Sequence, residues 1–143
     1  MTNQSQLQPK FWELLQTERT VMLGLFGERE SHTRPMTAQV EGASGPIWFF
    51  TAKDTELVRH LITNNRAAFT FASKGHDLFA AVRGTLSINT DRAVVDRLWS
   101  PLVAAWYRGK DDPNLVLLRL DVEDGEIWLN ESGLAAGVKM RLS

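Results

Sequence analysis

Short apolar runs separated by polar turn residues recur along this chain, and this pattern is typical of β-strands. Large and β-branched apolar side chains occupy residues 20–26, 67–72 and 78–89, each a suitable length for a strand. Gly84 stands inside the longest run, where a glycine indicates a bulge or a sharp bend. The pattern therefore predicts several short, buried strands, one of them bent.

Two further pairs of strand-like runs are predicted to form hairpins. In the first, polar and apolar residues alternate over residues 34–40, a glycine-containing turn follows, and an aromatic run returns at residues 47–51. In the second, residues 115–122 and 126–130 flank a polar, glycine-containing turn. Pro35 has no backbone N–H to donate, so its side of the strand is expected to be an edge or a bulge.

Helical periodicity appears between these strands. It predicts an N-terminal helix that ends near Glu18. Asp54 and Asp91 are each placed to cap a further helix, because a carboxylate can accept from the free N–H groups of a first turn. Pro101 precedes one more apolar segment. About six strands with inserted helices predict a small antiparallel barrel, since a barrel leaves fewer open edges than a flat sheet.

Length and composition fit a globular domain and argue against several partners. The chain has 143 residues, within the roughly 100–200 residues of a typical domain, so residues 1–143 are predicted to form one domain. A net charge of −1 gives no overall attraction to nucleic acid or to an anionic membrane. No apolar run reaches the roughly 18 residues of a membrane span, and no signal segment is visible. We therefore expect a cytoplasmic protein with no nucleic-acid or membrane partner.

Few residues suggest catalysis or metal binding. There is no cysteine, and His32, His60 and His76 stand far apart in the sequence, so no metal site is predicted. Ser73 and Asp77 share a short loop with His76, where local side-chain to backbone hydrogen bonds are far commoner than the geometry of a triad. Catalytic residues therefore stay unassigned.

The most distinctive chemistry is a set of cations near predicted strand ends. A phosphate dianion requires charge-assisted donors of this kind, supplemented by hydroxyls such as those of Thr51 and Ser73 and by backbone amides. An aromatic run that includes Trp48 and Phe50 lies beside them in the sequence. The cations are Arg34, Lys53, Lys74 and Arg83. Together these residues predict a site for a flat, phosphorylated ligand along the first hairpin.

The same residues carry a resemblance to a known family. Over nearly its whole length, the sequence is similar to the general stress protein branch of the pyridoxamine 5'-phosphate oxidase-like, FMN-binding split-barrel family. The matching segments are residues 34–37 (RPMT), 47–51 (IWFFT) with Asp54, 72–79 (ASKGHDLF), 96–101 (DRLWSP) and 106–113 (WYRGKDDP). The resemblance implies a mainly β (α+β) fold, a six-stranded antiparallel split β-barrel with two to four peripheral helices.

The family also implies a cofactor and an assembly. It predicts a homodimer with an FMN at each end of the interface, contacted by both subunits. The residues implied along the flavin and its ribityl chain are Arg34, Met36, Thr37, Phe50 and Thr51. Trp106 is placed either to reach the neighbouring subunit's site or to pack beside its own helix.

One departure from the family pattern concerns the cofactor phosphate. In the oxidase branch, an Arg-Lys pair follows the threonine by five and six positions and holds the phosphate, whereas Glu56 and Leu57 occupy those positions here. True pyridoxamine phosphate oxidase activity is therefore not expected. The cations that remain to bind the phosphate are Arg34, Lys53 and Lys74, with the Ser73 hydroxyl as a supplementary donor.

Several functions are compatible with these observations. The leading hypothesis is an FMN-binding general stress protein that acts as a flavin-dependent oxidoreductase, by hydride or electron transfer. A second is a non-catalytic FMN-binding or flavin-sensing module, which would bind FMN without turnover. A third is a barrel that has lost its ligand and serves in protein interaction. A nucleic-acid-binding barrel is the poorest alternative, because stacking aromatics need a basic surface beside them.

Overall fold

Strands and short helices alternate irregularly along the chain. The computed structural model describes residues 4–27, 32–131 and 134–140. The elements are α1 (Gln4–Glu18), β1 (Thr20–Leu25), β2 (Arg34–Thr37), β3 (Ile47–Ala52), α2 (Glu56–His60), β4 (Arg66–Ala72), β5 (Leu78–Asn89), α3 (Arg92–Leu98), α4 (Pro101–Ala104), β6 (Leu115–Glu131) and β7 (Leu134–Met140).

The sheet is antiparallel and closes on itself at a single point. Six strands follow one another in the order β2-β1-β4-β5-β6-β3, and β7 pairs with β6 outside this path. The two ends of the path meet where the Gln39 N–H donates to the Trp48 carbonyl at 2.8 Å and the Trp48 N–H donates back at 3.0 Å. The predicted six-stranded antiparallel split barrel of the mainly β class, with peripheral helices, is confirmed.

Side chains that point inward along each strand fill the barrel. In β4, buried and more exposed residues alternate, as the two-residue period of a strand requires. The helix α1 closes one end, as the apolar spacing near the N-terminus predicted. Its Phe11 is fully buried, with ring centroids 6.5 Å from Phe69 and 6.3 Å from Phe71.

The predicted bend at Gly84 is confirmed, and its cause lies in the partner strand. The β5–β6 register shifts between Arg83 and Gly84, which pair with Asp124 and Val122, so Glu123 has no partner across the ladder. A Cβ at Gly84 would lie 2.2 Å from the Asp121 carbonyl oxygen. The bulge therefore brings two backbones closer together than any other residue type permits.

The second predicted hairpin is wrong, because residues 115–131 form one strand. The long β5 provides a partner over nearly the full length of β6, from Leu78 opposite Leu129 to Asn89 opposite Leu117. The polar residues interpreted as a turn form the bulge instead.

The first predicted hairpin is also wrong as a paired ladder. The strand β2 pairs with β1, from Thr20 opposite Thr37 to Leu23 opposite Arg34. The strand β3 pairs with β6, and the single Gln39–Trp48 bridge is the contact that joins the arms. Alternation predicted both strands correctly but gave no information on which edge of each strand is paired.

One of the two predicted helix caps is confirmed and the other is wrong. Asp91 caps α3 as predicted, with its Oδ1 accepting from the Ala93 N–H at 2.9 Å. At α2 the cap is Thr55, whose Oγ1 accepts from the Val58 N–H at 3.4 Å, so the prediction for Asp54 is wrong by one residue. A hydroxyl performs this role about as well as a carboxylate, and the sequence alone does not separate the two neighbours.

Candidate ligand site at the open seam of the barrel

The barrel has a gap beside its closing bridge. Continuing the register of the Gln39–Trp48 pair would set Thr37 opposite Phe50, but β2 and β3 separate there and form no ladder. We call this gap between residues 34–37 and 49–52 the seam. Both of its walls are strand edges, which carry backbone donors and acceptors able to bind a ligand.

Strand alternation indicates which backbone groups face the seam. Gln39 and Trp48 bond across it, while the Ala38 N–H donates to Arg19 on the β1 side and the Lys53 N–H donates to Asn114 on the β6 side. Neighbouring residues of an antiparallel strand direct their N–H and C=O groups to opposite sides. The N–H and C=O of Thr37 and Phe50 are therefore directed into the seam.

A pocket of about 320 Å³ lies at this position. One wall comes from β1, β2 and the bridge, and the other from β3 and the segment that contains α4. Its lining residues are Thr20, Pro35, Met36, Thr37, Gln39, Phe50, Leu102, Val103, Trp106 and Tyr107. The lining is mixed, with flat or long apolar side chains beside hydroxyl and amide groups, which suits a planar molecule with a polar edge.

Packing from outside the barrel fixes the aromatic wall of the pocket. The Phe50 ring meets Trp99 edge to face, with centroids 6.1 Å apart and an interplanar angle of 89°. Ser100 then caps α4, its hydroxyl accepting from the Val103 N–H at 3.4 Å. Trp106 follows that helix and is 79% exposed, so it packs little against its own chain.

Tyr107 provides a phenol that stays protonated. Burial raises the pKa of Tyr107, and the negative charge of Asp112 adds to that shift. Asp112 itself is held ionised by backbone N–H donors from Arg108 and Asn114, which lower its pKa. The Tyr107 hydroxyl is therefore a neutral donor and acceptor at the pocket wall.

A single cation lies in the strand that forms the seam's first wall. The Arg34 side chain is about one-quarter exposed, and its Nη2 lies 3.9 Å from Glu56 Oε2. Glu56 is the first residue of α2, which follows β3, so this ion pair spans the end of the seam away from the bridge. A partly exposed pair at this distance is weak, which leaves the guanidinium able to bind another anion.

The pocket brings together four of the residues predicted from sequence, which are Met36, Thr37, Phe50 and Trp106. Thr51 is only 7% exposed and does not line it. Ser73 is buried in the turn after β4, where its hydroxyl accepts from the N–H groups of Asp77 and Leu78 at 3.1 Å. This bonding confirms the interpretation of that loop as a local turn.

The two lysines lie elsewhere in the described part of the chain. Lys74 belongs to the turn after β4, and its backbone N–H donates to a Glu18 carboxylate oxygen at 2.5 Å. Lys53 lines a separate cleft beyond β3. Neither residue is among those that line the seam pocket.

Sequence reasoning missed several lining residues. Thr20 and Gln39 enter through the pairing of β1 with β2 and through the closing bridge, which are long-range contacts without a local signal. Tyr107 lies inside a matching segment, directly after Trp106, and Leu102 lies just after another, between residues 96–101 and 106–113.

Neither a metal centre nor a membrane span emerges from the described residues. Over residues 4–27, 32–131 and 134–140, no three His, Asp or Glu side chains are grouped so as to hold an ion. In the same ranges, no helix is both long and apolar enough to cross a membrane.

A barrel opened along one seam, with a mixed pocket in the opening, defines a split-barrel protein with a small-molecule site. The chain belongs to the pyridoxamine 5'-phosphate oxidase-like family, since the family model "Pyridoxamine 5'-phosphate oxidase like" matches residues 6–143.

Several proteins with similar sequences or structures are named general stress proteins. General stress protein 26 of Bacillus subtilis (strain 168) is 29% identical over 143 residues, covering 98% of this chain and 99% of that protein. A crystal structure of the general stress FMN/FAD binding protein of Xanthomonas citri matches with a TM-score of 0.83 and 58% identity, over 97% of this chain and 99% of that one. A general stress family protein of Xanthomonas campestris pv. campestris matches with a TM-score of 0.84 and 57% identity, over all of both chains.

Proposed function

We propose that this protein binds FMN in the seam, with the flavin ring near the bridge and the phosphate toward Arg34. The observation that carries the proposal is that the facing edges of β2 and β3 form no ladder beside a pocket with a mixed polar and apolar lining. The X. citri relative, at 58% identity, is named an FMN/FAD binding protein, which supports the same ligand class here.

The donor set in the seam fits such a ligand. A flavin ring has a polar edge with both acceptors and donors, and the backbone groups of Thr37 and Phe50 offer both. The apolar side chains of Met36, Phe50 and Trp106 are suited to cover the ring faces, since flat aromatic and thioether groups pack well against π systems. Arg34 is the charge-assisted donor at the far end.

Bound FMN supplies hydride- and electron-transfer chemistry. The protein's part is to hold and shield the ligand, because none of the residues that line the pocket is Asp, Glu, His, Lys or Arg. Tyr107, kept protonated by its surroundings, is the candidate hydrogen-bond donor. The protein therefore contributes orientation and exclusion of water, and we propose a flavin-dependent oxidoreductase that has no acid or base of its own in the pocket.

The same lining favours a second candidate function, an FMN-binding or flavin-sensing module without turnover. A pocket whose lining has no carboxylate, imidazole or cationic side chain is sufficient for binding alone. The two functions differ only in whether a reductant passes electrons to the bound flavin.

A flavin spectrum tests the proposal. The purified protein, or the protein titrated with FMN, should show the flavin absorbance band near about 450 nm with fluorescence changed on binding. Absence of the band together with absence of binding in the titration would rule out both functions. Anaerobic addition of NADPH then separates them, because bleaching of the band indicates an oxidoreductase and an unchanged band indicates a binding module.

A homodimer is part of the proposal. Leu102 is 55% exposed and Trp106 is 79% exposed at the pocket rim, an arrangement typical of a surface covered by a partner. Sedimentation of the FMN-loaded protein should give twice the mass of one chain. A monomer at micromolar concentration would contradict this part of the proposal.

Replacing Arg34 with alanine should weaken FMN binding by about 1–3 kcal/mol, or roughly 5- to 150-fold in Kd. The reason is the loss of a charge-assisted hydrogen bond to the phosphate. Fluorescence titration of Arg34→Ala against Arg83→Ala provides the measurement and its control, because Arg83 on β5 is an exposed cation paired with Asp124 on β6. Lys74→Ala tests a further cation predicted from sequence.

Replacing Glu56 with glutamine should strengthen FMN binding if the phosphate lies at Arg34. Removing the carboxylate 3.9 Å from the guanidinium takes away a like charge beside the phosphate, so FMN should bind more tightly. Unchanged FMN affinity in both Arg34→Ala and Glu56→Gln would show that the phosphate does not lie at this end of the seam.

A further inference from the structure

A second, larger cleft lies on the outside of the barrel. It has a volume of about 690 Å³ and is framed by α2 and α3 over the ends of β3, β5 and β6. It shares no lining residue with the seam pocket. Its volume falls within the roughly 300–1,000 Å³ of small-molecule sites.

The charges that line this cleft are all positive. Four cations contribute to it, namely Lys53, Arg59, Arg92 and Lys110. No Asp or Glu is among the lining residues. A concave surface with a single sign of charge concentrates ligands of the opposite sign.

Two of these cations already have partners. Arg92 pairs with Asp111 and, at 3.3 Å, with Asp96, while Lys110 lies 3.1 Å from Asp96. Hydrogen bonds from Lys110 and Arg92 lower the pKa of Asp96, so the carboxylate stays charged. This network joins α3 to the loop before β6 and holds that side of the cleft in place.

The other two cations of the cleft are Lys53 and Arg59. Among the residues that the structure describes, neither side chain forms an ion pair. The Lys53 N–H donates to the Asn114 carbonyl at 2.8 Å, which fixes the base of that side chain at the rim. Two free positive charges match a phosphate monoester, which carries about −1.5 to −2 at pH 7.

The rest of the cleft is apolar and partly uncovered. Val58 and Leu117 are buried in its floor, while Ile62 is 87% exposed and Ile88 is 50% exposed beside them. Inorganic phosphate alone would leave these isoleucines in water. An organic group attached to the phosphate would cover them, and burial of apolar surface favours binding.

A polar group at the edge adds specificity. The Asn89 Oδ1 accepts from the Asp91 N–H at 2.8 Å, which fixes the side-chain amide. The Nδ2 group then remains as a donor at the wall of the cleft.

We infer that this cleft is a second binding site, for a small organic phosphate. The phosphate lies between Lys53 and Arg59, and the organic group covers Ile62 and Ile88. The site is separate from the seam, so the inference does not depend on the proposed flavin function.

The test uses the full-length protein saturated with FMN, titrated with AMP, adenosine and inorganic phosphate by calorimetry. AMP should bind at least tenfold more tightly than either fragment, because it alone provides both the phosphate and the organic group. Arg59→Gln should lose at least tenfold in AMP affinity. Lys10→Gln, which removes an exposed cation on α1, should lose nothing.

Three results would overturn the inference. The first is equal AMP affinity in Arg59→Gln and Lys10→Gln, and the second is AMP binding no tighter than that of adenosine or of phosphate. The third is loss of the flavin band in Arg59→Gln, which would make the cleft part of the flavin site. An unmodified protein that binds AMP but not FMN would contradict the proposed function and leave this inference supported.

Discussion

Replacing Gly84 with alanine is expected to destabilise the protein by about 3 kcal/mol or more. The added Cβ would lie 2.2 Å from the Asp121 carbonyl oxygen and 3.1 Å from the Val122 Cα. Both atoms belong to the backbone of the paired strand, so relief requires β5 and β6 to move apart at the bulge. Overpacking of this kind costs about 1–3 kcal/mol and sometimes more, and rigid backbone neighbours place Gly84 at the upper end.

Urea denaturation of Gly84→Ala provides the measurement, with Gly75→Ala as its control. A Cβ at Gly75 would meet the Asp77 carboxylate at 3.0 Å, but that contact is the free end of a side chain that can rotate away. We expect less than about 1 kcal/mol for the control. Similar losses in the two variants would contradict the close approach of the strands at the bulge.

Truncation of Phe11 to alanine should cost about 3–5 kcal/mol, the range for a buried phenylalanine. The ring is fully buried and contacts Trp12, Phe69 and Phe71 with centroids between 5.2 and 6.5 Å. Removing it opens a cavity where α1 closes the barrel. Thermal and urea unfolding should both show the loss.

Glu13→Ala is the matched control for Phe11→Ala. Glu13 lies on the exposed face of the same helix, so its removal should change stability by no more than about 0.5 kcal/mol. A small loss in Phe11→Ala would mean that α1 adds little to the folded barrel.

The strands were predictable because their pattern is local. Alternation over β4 and β5 and the glycine at position 84 are properties of neighbouring residues, and the structure follows them. Pairing is not local. The two arms around the turn at residues 42–46 looked like a hairpin, but the interior of a barrel is buried equally well when each arm pairs with a different strand.

The site was partly predictable for the same reason. Met36, Thr37 and Phe50 were identified from the strands that carry them, and they meet in the seam. Lys53 was grouped with them because it is near in sequence, yet the chain leaves β3 there and carries Lys53 to the opposite side of the strand end. Proximity in sequence does not determine on which side of a sheet a residue lies.

The single bridge between Gln39 and Trp48 gives the barrel an incomplete circumference. A molecule that forms hydrogen bonds to the facing edges of Thr37 and Phe50 would connect β2 to β3. An added strand does the same at an exposed sheet edge. Any ligand that binds only the folded barrel also raises its stability by mass action. Occupancy of the seam and the free energy of unfolding of the barrel are therefore linked, and a measurement of one reports on the other.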